Sequence, residues 1–241
     1  MSDISWAKLR GDVKNCPFSK CPRNNEKLPI FFNRSEESLS KIRFFVVSQE
    51  PGFSLRKKYN STRDMEEYLI KDCLQLKPKR TSPINKIIEI FGKFDPLNAE
   101  IYWTHALKCV PCKSDNDIKT EWESCAPCCL SHLKNELNSI PSKNLALIPL
   151  GNYALALCRN LFGEPLSHPY GILEYIRSAD PEKKFSFSEK GFSEKEISLF
   201  PFLHPSHREQ ILKLHDRSNE VKNKENKFIE RIRQLNPRND V

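Results

Sequence analysis

The stretch "IRFFVVSQEPG", residues 42–52, sets Phe44, Phe45, Val46 and Val47 side by side and then halts at Gln49-Glu50-Pro51-Gly52. A short apolar run without alternation reads as a strand buried on both faces, and burial on both faces belongs to parallel sheets covered by helices. We place this strand at 41–49. Three other stretches have the same character: "AEIYWTHALKCV" (99–110), "NLALIPLG" (144–151) and "ISLFPFL" (197–203). Between them the apolar residues recur at helical spacing. Helices are expected near 3–11, over "TRDMEEYLIKDCLQL" (62–76), from Ser82-Pro83 onward, over 117–140 with an interruption or delay at Pro127, and over 152–163 closed by Gly163. The segment 164–197 suggests short strands or a hairpin, and the chain from Arg208 reads as largely helical. The pattern predicts an α/β fold: a three-layer α/β/α arrangement around a central, mostly parallel four-stranded sheet. It is expected to form one domain over 1–241, with a cysteine-bearing N-terminal segment (1–40) and a helical C-terminal segment (208–241).

In such sheets the ligand crevice lies beyond the C-terminal ends of the strands. The first strand delivers Gln49, Glu50, Pro51 and Gly52 there. The last delivers His204-Pro205-Ser206-His207-Arg208, within "SLFPFLHPSHREQI" (198–211). Each motif alone is commonly just a loop. Two charged strand ends on one sheet instead suggest the two halves of a single site.

The net charge of +8 and pI near 9.0 favour a polyanionic partner. Distribution says more than the total: "LRKKYNSTR" (55–63) carries Arg56, Lys57, Lys58 and Arg63 with no acid, directly after the Gln49–Gly52 loop. A basic loop beside a candidate site suits a phosphate backbone. No apolar run approaches the roughly 20 residues that span a bilayer, and the start lacks the apolar core of a secretory signal. We expect an intracellular, cytoplasmic protein without a membrane partner.

The nine cysteines are an odd number and unevenly placed. In a reducing compartment, clustered thiols point to a metal rather than to disulfides. Cys109-x2-Cys112 and Cys125-x2-Cys128, twelve residues apart, satisfy a four-thiolate zinc site by spacing alone. Cys73 and Cys158 lie in apolar helical surroundings and read as core thiols.

The strand-end residues resemble the uracil-DNA glycosylase superfamily. Its first strand ends in loops such as Gly-Gln-Asp-Pro-Tyr or Gly-Glu-Ala-Pro-Gly, here Ser48-Gln49-Glu50-Pro51-Gly52. Its last strand ends in His-Pro-Ser-Pro or a variant, here His204-Pro205-Ser206-His207-Arg208, close to the single-strand-selective branch. "YWTHALKCVP" (102–111) is similar to the middle strand of the iron–sulfur (family 4) branch, and "LALIPLGNYALALC" to its strand-to-helix turn. The matches keep their order from about residue 16 to 212. Three departures are visible: a Cys16-x4-Cys21 pair where that branch has Cys-x2-Cys, His105 where a base-reading Asn is usual, and an acid at Glu50 rather than at Gln49.

The resemblance implies a monofunctional DNA N-glycosylase of base-excision repair. Such an enzyme flips out a deaminated base, uracil first, and removes it by hydrolysis. Glu50 would act on the attacking water and the cationic sugar, and His204 on the departing base. Gln49, Pro51, Gly52, Phe53, His105 and Ser206 would line the base pocket. Arg208 would fill the gap left by the nucleotide or clamp its phosphate, while Arg56, Lys57 and Lys58 follow the DNA backbone. The resemblance also implies a [4Fe-4S] cluster on Cys16, Cys21, Cys109 and Cys125, with zinc as the alternative, in a monomer that acts on damaged single- or double-stranded DNA. Two other readings stand beside this one. The first is a catalytically weak or inactive nucleic-acid-binding module on the same fold, and the second a zinc-bearing nucleic-acid-binding protein.

Overall fold

A computed structural model describes residues 6–16, 39–49, 61, 63–65, 100–109, 118–166, 171–189, 193–204 and 207–235. Glu50, Pro51, Gly52, Phe53, Arg56, Lys57, Lys58, Cys21 and Ser206 lie outside the described residues, as do the helices expected over most of 62–76 and after Ser82.

Five strands form one sheet in the order β2-β1-β3-β5-β4. They are β1 (Phe44–Ser48), β2 (Ile101–His105), β3 (Asn144–Pro149), β4 (Lys184–Phe187) and β5 (Lys195–Leu199). The first strand lies second in the order, and its four-residue apolar run is buried throughout. It pairs in parallel with β2, Ser48 opposite His105, and with β3, Val47 opposite Pro149. β3 pairs in parallel with β5. Only β4 runs antiparallel, at the edge. It comes from the segment that read as short strands or a hairpin, and it makes the sheet five-stranded rather than four-stranded. Its burial is patchy, as expected of an edge strand with one face toward solvent, so its period was faint in the sequence. The strand expected at 197–203 is observed at Lys195–Leu199. Pro201 has no N–H for the ladder, and pairing resumes as a single parallel bridge between Leu150 and Phe202.

Helices α1 (Trp6–Lys14), α2 (Ile118–Ser139), α3 (Asn152–Asn160), α4 (Ile172–Ser178), α5 (Arg208–Leu214) and α6 (Ser218–Gln234) accompany the sheet. α2 is continuous through Pro127, not interrupted by it. A proline inside a helix loses one hydrogen bond. Here the buried stripe of Trp122, Cys125, Ala126, Cys129, Leu133 and Leu137 on either side holds the helix to the core. The same core joins strand to strand through the stacked rings of Phe45 and Tyr102, 4.7 Å apart. Phe228 of α6 meets Phe200 and Phe202 edge-on at 5.9 and 5.8 Å. That contact fixes α6 beneath the end of β5. Cys158 is fully buried in α3, and its burial pushes the thiol pKa up, as suits a core thiol.

Candidate active site

The parallel strands end together on one side, and backbone hydrogen bonds continue past the strands to fix their extensions. Ala106 N–H donates to the Ser48 carbonyl at 2.7 Å, Leu107 N–H to the Gln49 carbonyl at 3.0 Å, and Gly151 N–H to the Phe202 carbonyl at 2.9 Å. Side chains add to the lock. Trp103 Nε1 donates to Ser48 Oγ (3.3 Å), whose own hydroxyl donates to the Thr104 carbonyl (3.1 Å). Gln49, His105, Gly151 and His204 are thus delivered by four neighbouring strand ends.

Gly151 shows how closely they meet. Its φ of +88° is left-handed, and a Cβ there would lie 3.1 Å from His204 Cβ and 3.7 Å from Gln49 Oε1. A side chain at 151 would therefore press on the His204 side chain and touch Gln49, besides straining the backbone. In the sequence the residue stood at the end of a strand, in the stretch similar to a strand-to-helix turn. The structure makes it the floor between two expected site residues.

Both histidines are held neutral. Burial lowers the His105 pKa to about 3, with help from the positive charge of Lys108 and from His204. Burial likewise lowers His204 to about 4, with His207 contributing; the two rings are 5.8 Å apart between centroids. A neutral imidazole donates from one nitrogen and accepts at the other. It can therefore stabilise charge developing on a carbonyl oxygen without bringing a full positive charge into the site.

Behind His105 lies a charged network that sequence reasoning missed. Lys108 Nζ donates to Thr104 Oγ1 (2.7 Å) and to Glu136 Oε2 of α2 (2.8 Å), with both charged side chains 1% exposed. Burial raises the Glu136 pKa, opposed by the Lys108 charge and by hydrogen bonds from Lys108 and Thr104. Arg208 is buried too. It is directed onto Glu225 of α6, Nη2 at 2.9 Å and Nε at 3.1 Å, while Nη1 meets Glu209 at 2.9 Å. Its guanidinium is committed to protein carboxylates, an environment that the expected phosphate or gap-filling contact did not include.

Two of the cysteines meet at α2. Cys16, just beyond α1, has its Sγ 2.6 Å from Cys128 Sγ, which lies 3.5 Å from His132 Nε2. The three ligand atoms all fall within 4.8 Å of one another, so the group has the donor chemistry and the proximity to hold a metal ion. Cys125, Cys128 and His132 follow one another at three- and four-residue steps, which places them on one side of the helix. That spacing was legible in the sequence and would have flagged His132. Of the implied cluster ligands, Cys16 is half-buried beside Cys128, Cys109 is half-buried after β2, and Cys125 is buried on α2.

The mostly parallel sheet thus gathers an amide and two neutral imidazoles at its strand ends, Gln49 and His204 meeting at the left-handed Gly151. The chain matches the family model of the Uracil DNA glycosylase superfamily over residues 30–236 and belongs to that superfamily. Membership carries a DNA-glycosylase-like function and a DNA partner. No curated protein matches the chain in sequence. Among the described residues, no helix is long and apolar enough to cross a membrane.

Proposed function

We propose that this chain is a monofunctional DNA glycosylase that extrudes a deaminated base, uracil in the first instance, and hydrolyses its N-glycosidic bond. The observation that carries this reading is the meeting of Gln49 and His204 at Gly151, with His105 close enough to His204 for that ring to oppose its protonation and both imidazoles neutral. In the reaction the sugar–base bond breaks and its electron pair leaves with the base. Water adds to the sugar carbon, and the phosphodiester backbone stays intact. His204 donates a hydrogen bond to the base oxygen on which charge develops. Glu50, next in the chain after Gln49, takes the proton of the attacking water and stabilises the cationic sugar. Gln49 and His105 read the base, with Pro51, Gly52, Phe53 and Ser206 completing the pocket. Arg56, Lys57 and Lys58 follow the phosphates. The protein works as a monomer and as one domain over 1–241, in the compartment that holds the DNA and without a membrane partner.

The metal centre is proposed to fasten the N-terminal segment to α2, its binding energy being coupled to folding. A [4Fe-4S] cluster would take Cys16, Cys21, Cys109 and Cys125, as the iron–sulfur branch does. The close Cys16, Cys128 and His132 group favours a second reading, a single ion such as zinc with mixed thiolate and imidazole ligands, because a cluster sets each thiolate on its own iron.

Single-turnover incubation with oligonucleotides bearing uracil, hypoxanthine or xanthine, single- and double-stranded, tests the function. The expected product is an alkali-labile abasic site, formed fastest from uracil. Binding without cleavage across the whole panel transfers the reading to a nucleic-acid-binding module.

A further inference from the structure

α6 presents a buried stripe of Val221, Glu225, Phe228, Ile229 and Ile232 at helical spacing. One member of that stripe is an acid. Glu225 is 1% exposed, and removing a carboxylate from water costs several kcal/mol unless partners compensate. Its two oxygens have separate tasks. Oε1 accepts the backbone N–H of Leu203 at 3.2 Å, one residue before His204. Oε2 accepts from Arg208 Nε and Nη2 at 3.1 and 2.9 Å, four residues after His204. One carboxylate thus holds the chain on both sides of the histidine. Between these points the His207 N–H donates to the His204 carbonyl at 3.1 Å, closing a turn. Phe228, three residues beyond Glu225, is wedged edge-on against Phe200 and Phe202, so the carboxylate is anchored from below.

We propose that Glu225 and Arg208 form a positioning pair that sets the His204 imidazole against the base, and that Arg208 serves this pair rather than the DNA. The proposal rests on the glycosylase reading for its rate consequences, and on geometry alone for its structural ones. Both buried charges have well-placed partners, whereas apolar residues of similar volume would cost α6 little. The pair ties its two charges to the two sides of one loop. Fastening α5 to α6 alone would need only Arg208 and Glu225, without the Leu203 hydrogen bond.

The test is a double-mutant cycle on the full chain. Glu225→Gln keeps an oxygen for Leu203 but removes the charge that holds Arg208. A displacement of the catalytic group by about an ångström can cost on the order of 100-fold, so single-turnover cleavage should fall by about 10- to 100-fold. Affinity for uncleaved lesion DNA, and its salt slope, should stay at wild-type values. In a His204→Ala background the same change should cost little further, because the group it positions is gone. Arg208→Met with Glu225→Gln serves if the single variant does not fold. The NMR resonances of the His204 ring, compared between wild type and variant, give a readout independent of activity. Movement or broadening of that ring alone supports the pair even if no substrate of the panel is cleaved. Three results overturn the proposal: equal losses with and without His204, a His204 ring that does not respond, or an Arg208→Met salt slope flattened by about one unit, the signature of a lost phosphate contact.

Discussion

The two histidines of the site are held by different means. His105, at the end of β2, is buried to 5% exposure, and Lys108 behind it is paired with Glu136 of α2. His204, beyond β5, is only half-buried, and its loop is held from both sides by Glu225 of α6. The first arrangement is electrostatic: burial first, and then the charge of Lys108, oppose protonation of the ring. The second is mechanical, with the carboxylate bonded to backbone and guanidinium on either side of the residue. In the proposed reaction His105 reads the base, which needs a fixed protonation state. His204 there follows the departing base, which needs a fixed place. In both cases the fold uses a buried acid on a helix, Glu136 on α2 and Glu225 on α6.

The largest effect is expected from removing one buried cation. Lys108→Met leaves Glu136 with its charge partner gone in the core, and breaking a buried pair from one side typically costs about 3–5 kcal/mol. Chemical denaturation should register that loss in full. Arg208→Met should cost less, since Arg208 retains 11% exposure and also leans on Glu209 at the surface. Equal losses would remove the distinction between the two arrangements.

Removal of the metal is expected to have the next largest effect. Cys128→Ser and His132→Ala should each lower bound metal and thermal stability if the ion lies between Cys16 and α2, while Cys158→Ser should leave metal content unchanged. Retained metal in the first two variants, with loss in Cys109→Ala or Cys125→Ala, assigns the centre to the four-cysteine cluster instead.

Acid titration gives a smaller and graded effect. Both histidines are depressed when folded, to about 3 and about 4, against about 6.5 unfolded. Between these values the unfolded chain binds more protons, so stability rises with pH. The contribution is fully present above about pH 6.5 and is lost as the pH falls through 4 toward 3. Replacing His204 by Gln should flatten the pH dependence of stability across that window. An unchanged curve would mean that the ring titrates freely in the folded protein.

The least effect is expected from the basic loop. Arg56, Lys57 and Lys58 changed together to Ala should reduce the slope of log affinity against log salt by about 2 to 3 units. A slope that does not move makes the patch an ordinary solvated surface.

Much of this was legible beforehand. The unbroken apolar runs gave the parallel strands, because burial on both faces leaves a composition signal that needs no tertiary knowledge. The strand-end motifs gave Gln49 and His204. What escaped notice depends on pairing across the fold. Lys108 and Glu136 are 28 positions apart and look like surface charges until β2 and α2 are packed. Glu225 could have been suspected, as an acid in the apolar stripe of "VKNKENKFIERI", but its two partners could not. Gly151 was read as a strand end and strand-to-helix turn, since only three dimensions reveal what a side chain there would touch.

The account turns on His204 acting on the leaving base. The direct measurement is single-turnover cleavage of a uracil-containing oligonucleotide by wild type and His204→Ala, with the affinity of each for uncleaved lesion DNA measured alongside. Losing one donor to a developing anion costs on the order of 10²–10³-fold, and that drop in rate is expected with affinity nearly unchanged, because phosphate contacts carry most of the binding. Wild-type cleavage rates in the His204→Ala protein would contradict the account.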